Sequence, residues 1–294
     1  MRIPISEVHP SRSLAKFFAL TFAVTWTCFI LVIALIQRSS SAGLPLTVLR
    51  ELLLYLGIFA PALVALGVTA QENGAAHMRA LLHRTIQWKA GARWYVFAVI
   101  YMAAIKLSVA VLHRLFVGSW PPFGHELPGV IIIAIVISTP VQAGEEIGWR
   151  GFALPRMASR MGFAGASVVL GLIWALWHLP IFFMPGADKY GQSFPVWALG
   201  VTALSVAIAW LYVHTNGSLL LTMLMHSAIN QSIGIVSDAS PKPGNPFTIH
   251  ASLPFWLTVA LLWLPALWFL IRMPRAGHLR LDPAIPAISG RVSA

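Results

Sequence analysis

The sequence has very little charge. Lys, Arg, Asp and Glu together make up 10% of its 294 residues, where a soluble domain carries about 25%. Only nine side chains are acidic, against twenty that are basic, and there is one cysteine, Cys28. A lone thiol excludes an intramolecular disulfide framework and any cysteine metal cluster. The scarcity of charge excludes a water-soluble fold, because too few polar side chains remain to cover so apolar a core. The net charge of +11 does not redirect the reading to nucleic acid. The basic residues are scattered over short loops and tails, and no basic domain carries a groove. His-Glu-x-x-His is missing, and so is an obvious internal repeat of the kind that builds many transporters.

What the sequence does have is long apolar runs. Hydrophobic residues make up 58% of the chain. Eight runs approach the ~20 residues that a helix needs to cross the hydrocarbon of a bilayer. They cover about 15–37, 49–70, 92–116, 128–155, 163–184, 194–213, 217–236 and 252–272. The fold class expected is therefore all-α, a polytopic membrane protein of about eight transmembrane helices enclosing a polar intramembrane cavity. Residues 1–272 read as one transmembrane domain, and residues 273–294 as a basic, disordered cytoplasmic tail. The run from Phe17 to Ile36 is too long for a signal-peptide core and reads as the first span. Span four is the least regular, because Pro140 interrupts it.

Lys and Arg also set an orientation. With the amino terminus inside, thirteen of the twenty fall on inner segments, five on outer loops, and Lys106 and Arg150 within spans. That asymmetry predicts both termini in the cytoplasm; the membrane expected is a bacterial plasma membrane. Between spans two and three, Met78, Leu81, Leu82 and Ile86 alternate at helical spacing with Arg79, His83 and Arg84. This pattern predicts a short amphipathic helix lying on the inner membrane surface.

Two acidic residues stand where lipid should exclude them. Seven of the nine lie in loops, tails or span ends, but Glu145 and Glu146 lie well inside span four. Each buried charge costs about 2.5–3.5 kcal/mol on insertion scales, so such residues mark function or a paired partner. Glu146 and Arg150 are four apart, share a helix face and predict an ion pair. Glu145 is rotated ~100° away and has no such cation, which leaves it as the candidate general base. Gly144, Gly148 and Gly151 surround the pair and allow another helix to come close. Span five carries Trp174 and His178 on one face, and span seven carries His226 and Asn230. Glu145 with His178 suits activation of a water, and His226 with Asn230 suits stabilisation of an oxyanion. Ser227 adjoins His226, but neighbouring helical residues do not face each other, so a Ser–His nucleophile is not expected.

Three motifs therefore occur in order on successive spans: Glu145-Glu146-x-x-x-Arg150, Trp174-x-x-x-His178 and His226-x-x-x-Asn230. Together they resemble the CAAX-protease and bacteriocin-processing family, also called the Abi family, whose eukaryotic branch contains the type II CAAX prenyl endopeptidase. The resemblance covers roughly residues 90–236, with the motifs at 145–230. It implies an eight-helix intramembrane peptidase in which Glu145, His178, His226 and Asn230 are catalytic and Glu146, Arg150 and Trp174 are structural support. The family usually has Phe at the position of Trp174. The substrate implied is a membrane-associated or lipidated peptide, the surroundings a lipid bilayer, and the cofactor none. The competing chemistry is zinc held by Glu145, His178 and His226. The competing functions are a non-catalytic scaffold or immunity protein on the same fold, and a proton-coupled transporter with Glu145 as carrier.

Overall fold

The computed structural model describes residues 10–38, 43–237 and 245–273. The predicted tail, beyond Met273, lies outside the described residues. Among the described residues ten α-helices carry the fold: α1 (Pro10–Arg38), α2 (Leu44–Asn73), α3 (Ala75–His83), α4 (Ala92–Val117), α5 (Pro128–Ser138), α6 (Ala143–Glu146), α7 (Leu154–Trp177), α8 (Phe194–His214), α9 (Leu219–Gln231) and α10 (Leu253–Arg272). The chain is all-α among the described residues apart from an isolated antiparallel bridge between Phe123 and Val236. Ser193, Ser218 and Ser252 cap α8, α9 and α10, each accepting a backbone N–H through its hydroxyl.

Six helical stretches among the described residues are long and apolar enough to cross a membrane. Large apolar side chains such as Leu107, Val111, Ile132, Ile133, Val136, Leu264 and Ile271 point outward from them. A continuous apolar exterior of this kind has lipid as its solvent. The chain is thus a polytopic membrane protein, and the count of eight is approximate for two physical reasons. Predicted spans four and five form one helical stretch, Pro128–Phe183, broken at Gly162, whose φ of 71° and ψ of 165° no helix accommodates. Predicted span seven is α9, which has 13 residues and is ~20 Å long at 1.5 Å per residue. That falls short of the ~30 Å hydrocarbon thickness. Most of its side chains are buried against neighbouring helices instead.

At the centre stands α8. Within its span 83% of the residues are buried, against 28–50% in the other five. Apolar residues run all round it, as expected of a helix enclosed by others. α7 packs along it on one side and α10 on another, α4 bridges α9 and α10, and α1 lies along α2. Gly171 permits the α7–α8 approach, since a Cβ there would lie 2.8 Å from the Thr202 Cα.

The amphipathic segment forms α3 and a 3₁₀ turn over Arg84–Ile86. Its predicted polar side is only partly realised. Arg84 is buried, donating from Nε and Nη2 to the Gly217 carbonyl and from Nη2 to the Tyr212 hydroxyl at 2.6 Å. It clamps the turn between α8 and α9 instead of facing a membrane surface.

Candidate active site

The stretch carrying the two glutamates changes helix type repeatedly. After α5 come a 3₁₀ turn over Thr139–Gln142, one α-turn in α6, and a π-helix over Ile147–Ala153. Pro140 lacks the N–H that a regular helix would use, so the tighter turn follows from the sequence. π-helical segments are rare and concentrate at functional sites. This irregular stretch packs on α2. Gly148 makes that possible, because a Cβ there would lie 2.6 Å from the Pro61 side chain and 2.7 Å from its carbonyl. Gly144 similarly faces Phe59, and Gly151 faces Leu81 and Leu219. The three glycines thus admit close neighbours, α2 at Gly144 and Gly148, and α3 with α9 at Gly151.

Glu146 and Arg150 are fully buried, and Arg150 Nη1 donates to Glu146 Oε1 at 2.8 Å. The same Oε1 lies 2.9 Å from His226 Nδ1. An ionised carboxylate only accepts, so His226 donates through Nδ1. Glu146 therefore joins the first motif to the third, a role beyond its local pairing with Arg150.

Glu145 is buried as well, at 7% exposure. Its Oε2 accepts the indole N–H of Trp174 at 2.7 Å. The backbone carbonyl of Trp174 in turn accepts His178 Nδ1–H at 2.8 Å. Glu145 and His178 are thus tied to one residue, by its side chain and its backbone respectively. With Nδ1 donating, Nε2 of a neutral His178 is an acceptor. The Trp174 ring also meets the Arg150 guanidinium, 4.3 Å from its centroid, and the rings of His226 and His178 edge-on at 5.2 and 5.6 Å.

Asn230 lies one turn beyond His226. It is exposed, and its Nδ2 donates to Gln142 Oε1 at 3.4 Å. Gln142 donates onward to the Ser138 carbonyl at 3.3 Å, and Ser138 shares a 2.6 Å hydrogen bond with Ser227. Ser227 also donates to the Ile135 carbonyl at 2.7 Å, so it fastens α9 to α5 and is not directed at His226. Gln142 was legible as a candidate only through its i, i+3 spacing to Glu145. Ser138 carried no signal at all. A cavity of about 380 Å³ lies where Glu126, Ala134, Gln231 and Gly234 meet. A second, of about 480 Å³, lies among α1, α2 and the segment that follows His178, and includes Arg50, Glu51 and Asp188. Among the described residues, no group of three His, Cys, Asp or Glu side chains is gathered as a metal site would require.

Comparison with known proteins gives two matches. Residues 125–232 match the family model "Type II CAAX prenyl endopeptidase Rce1-like", and that interval contains all three motifs. The chain is also similar to CAAX prenyl protease 2 of Methanococcus maripaludis, with 24% identity over 227 residues, covering 73% of this chain and 81% of that one.

Proposed function

We propose, from the match of residues 125–232 to the type II CAAX prenyl endopeptidase model and the likeness to CAAX prenyl protease 2, that the chain is a membrane peptidase of the CAAX-protease family and acts as a glutamate-dependent intramembrane endopeptidase. Its substrate is a membrane-associated peptide, with a prenylated CAAX-type tail as the first candidate by likeness to the archaeal relative. The observation that carries this reading is the setting of Glu145. Its carboxylate is buried, is held by a neutral N–H donor, and shares that donor's residue with His178.

In the proposed reaction Glu145 takes a proton from a water that His178 orients. The water oxygen bonds to the peptide carbonyl carbon, and the carbonyl oxygen becomes an oxyanion. Asn230 Nδ2–H faces it as one donor. When His226 carries both protons, Nδ1 donates to Glu146 and Nε2 supplies the second donor. Glu145 then passes its proton to the leaving nitrogen as the C–N bond breaks, leaving a carboxylic acid and an amine. No side chain becomes covalently attached to the substrate. We read the reaction as independent of a metal, consistent with His226 Nδ1 being engaged by Glu146.

The test is Glu145→Gln, assayed on a quenched fluorescent peptide ending in a farnesylated CAAX sequence. Cleavage should fall by at least about a thousandfold, since the base is lost outright, while the protein still purifies as a folded species. Near-normal turnover by this variant would overturn the mechanism. Folded wild-type protein that binds the peptide but never cuts it would favour the scaffold reading.

A further inference from the structure

Trp174 is the most connected side chain of the site. It is 3% exposed, and four other motif residues converge on it. Its indole N–H holds Glu145, and its carbonyl holds His178. One face of its ring meets Arg150, and its ring meets those of His178 and His226 edge-on. An apolar wall would need only the ring. The 2.7 Å hydrogen bond needs the nitrogen and is charge-assisted when Glu145 is ionised. Arg150 is meanwhile committed to Glu146 and lies one ring away from Glu145. The contact between the arginine and the active carboxylate is thus relayed through a neutral donor.

We propose that Trp174 is a positioning residue for the reaction, acting through its indole N–H on Glu145 and not only as a packing surface. The N–H fixes one carboxylate oxygen and so limits rotation of Glu145, leaving Oε1 to face the water. A direct Arg150–Glu145 ion pair would instead immobilise the base as a structural anion. The tryptophan separates the two glutamates into different tasks: Glu146 takes the cation, and Glu145 takes a donor that keeps it available. This inference rests on Glu145 being the base.

Two replacements separate the nitrogen from the ring. Trp174→Phe keeps an aromatic wall. Benzothienylalanine at position 174 keeps the full bicyclic shape and replaces N–H by sulfur, so packing is preserved. Both should lower kcat on the farnesylated reporter peptide about tenfold or more, with KM within about twofold, as expected for loss of a hydrogen bond to a charged group. The benzothienyl variant should melt close to the wild type. A second readout does not depend on turnover. In protein labelled with ¹⁵N-tryptophan, the indole resonance that disappears in Trp174→Phe should lie downfield, and it should move upfield in Glu145→Gln. Wild-type kcat in the benzothienyl variant, or an indole resonance indifferent to Glu145→Gln, overturns the inference. If Glu145→Gln is itself active, the mechanism and this inference both fail. If Glu145→Gln is dead and the benzothienyl variant is fully active, only this inference fails.

Discussion

His226 faces Glu146, not Glu145: its Nδ1 lies 2.9 Å from Glu146 Oε1, and both side chains are buried. Eighty residues of sequence separate them. The contact gives Glu146 two donors on one oxygen, Arg150 being the other. A residue that spacing alone assigns to a local ion pair therefore also orients the histidine of the third motif.

That double role predicts a specific pattern of stability and activity. Glu146→Leu or Arg150→Met alone leaves a buried charge without its partner and should cost about 3–5 kcal/mol of stability. The double variant Glu146→Leu/Arg150→Met should regain most of that, because neither charge remains. Activity should not return, since His226 still lacks its acceptor. Thermal unfolding in detergent and turnover of the reporter peptide check the two halves. A double variant that regains both stability and turnover would show that Glu146 is architectural only.

Packing of α2 against the irregular stretch predicts sensitivity at one glycine. Gly148→Ala places a methyl 2.6 Å from the Pro61 side chain and 2.7 Å from its carbonyl. Backbone cannot yield as a flexible side chain can, so the variant should lose at least about 1–3 kcal/mol. Turnover should fall with it, because Glu145 and Glu146 lie just before this contact. Gly67→Ala on α2, where a Cβ meets nothing within 4 Å, should be neutral or slightly stabilising. Melting temperatures of the two variants make the comparison.

The proposed metal-independent reaction predicts insensitivity to chelation. After exhaustive treatment with a strong chelator and elemental analysis of the purified protein, turnover should stay within about twofold of the untreated enzyme, since no step in Glu145-assisted hydrolysis uses a metal. Loss on chelation with recovery on zinc addition would establish the zinc reading through Glu145, His178 and His226.

The distribution of Lys and Arg predicts sidedness. In a Cys28→Ala background, which removes the buried thiol, cysteines introduced by Arg79→Cys and Asp188→Cys report opposite faces. Both positions are exposed. An impermeant maleimide should label Arg79→Cys only in inside-out vesicles and Asp188→Cys only in right-side-out vesicles. The reverse pattern would place the amino terminus outside.

The sequence by itself determined whatever depends on composition or on one helix turn. So little charge and so much apolar length leave lipid as the only solvent, and an i, i+4 spacing puts Glu146 and Arg150 on one face. It also exposed the three motifs that carry the family likeness, since each is a local pattern. Only the tertiary structure decided which face of one helix meets which face of another. Glycine contacts with α2 set how the glutamate stretch is placed, and from that follow the pairing of His226 with Glu146 and of Trp174 with Glu145. It also decided that α9 is a short buried helix and not a full span, because burial by neighbours can replace length where a helix does not have to face lipid. Periodicity records the rotation of a residue about its own helix. It does not record the rotation of that helix about its neighbours, which is set by close packing between segments far apart in the chain.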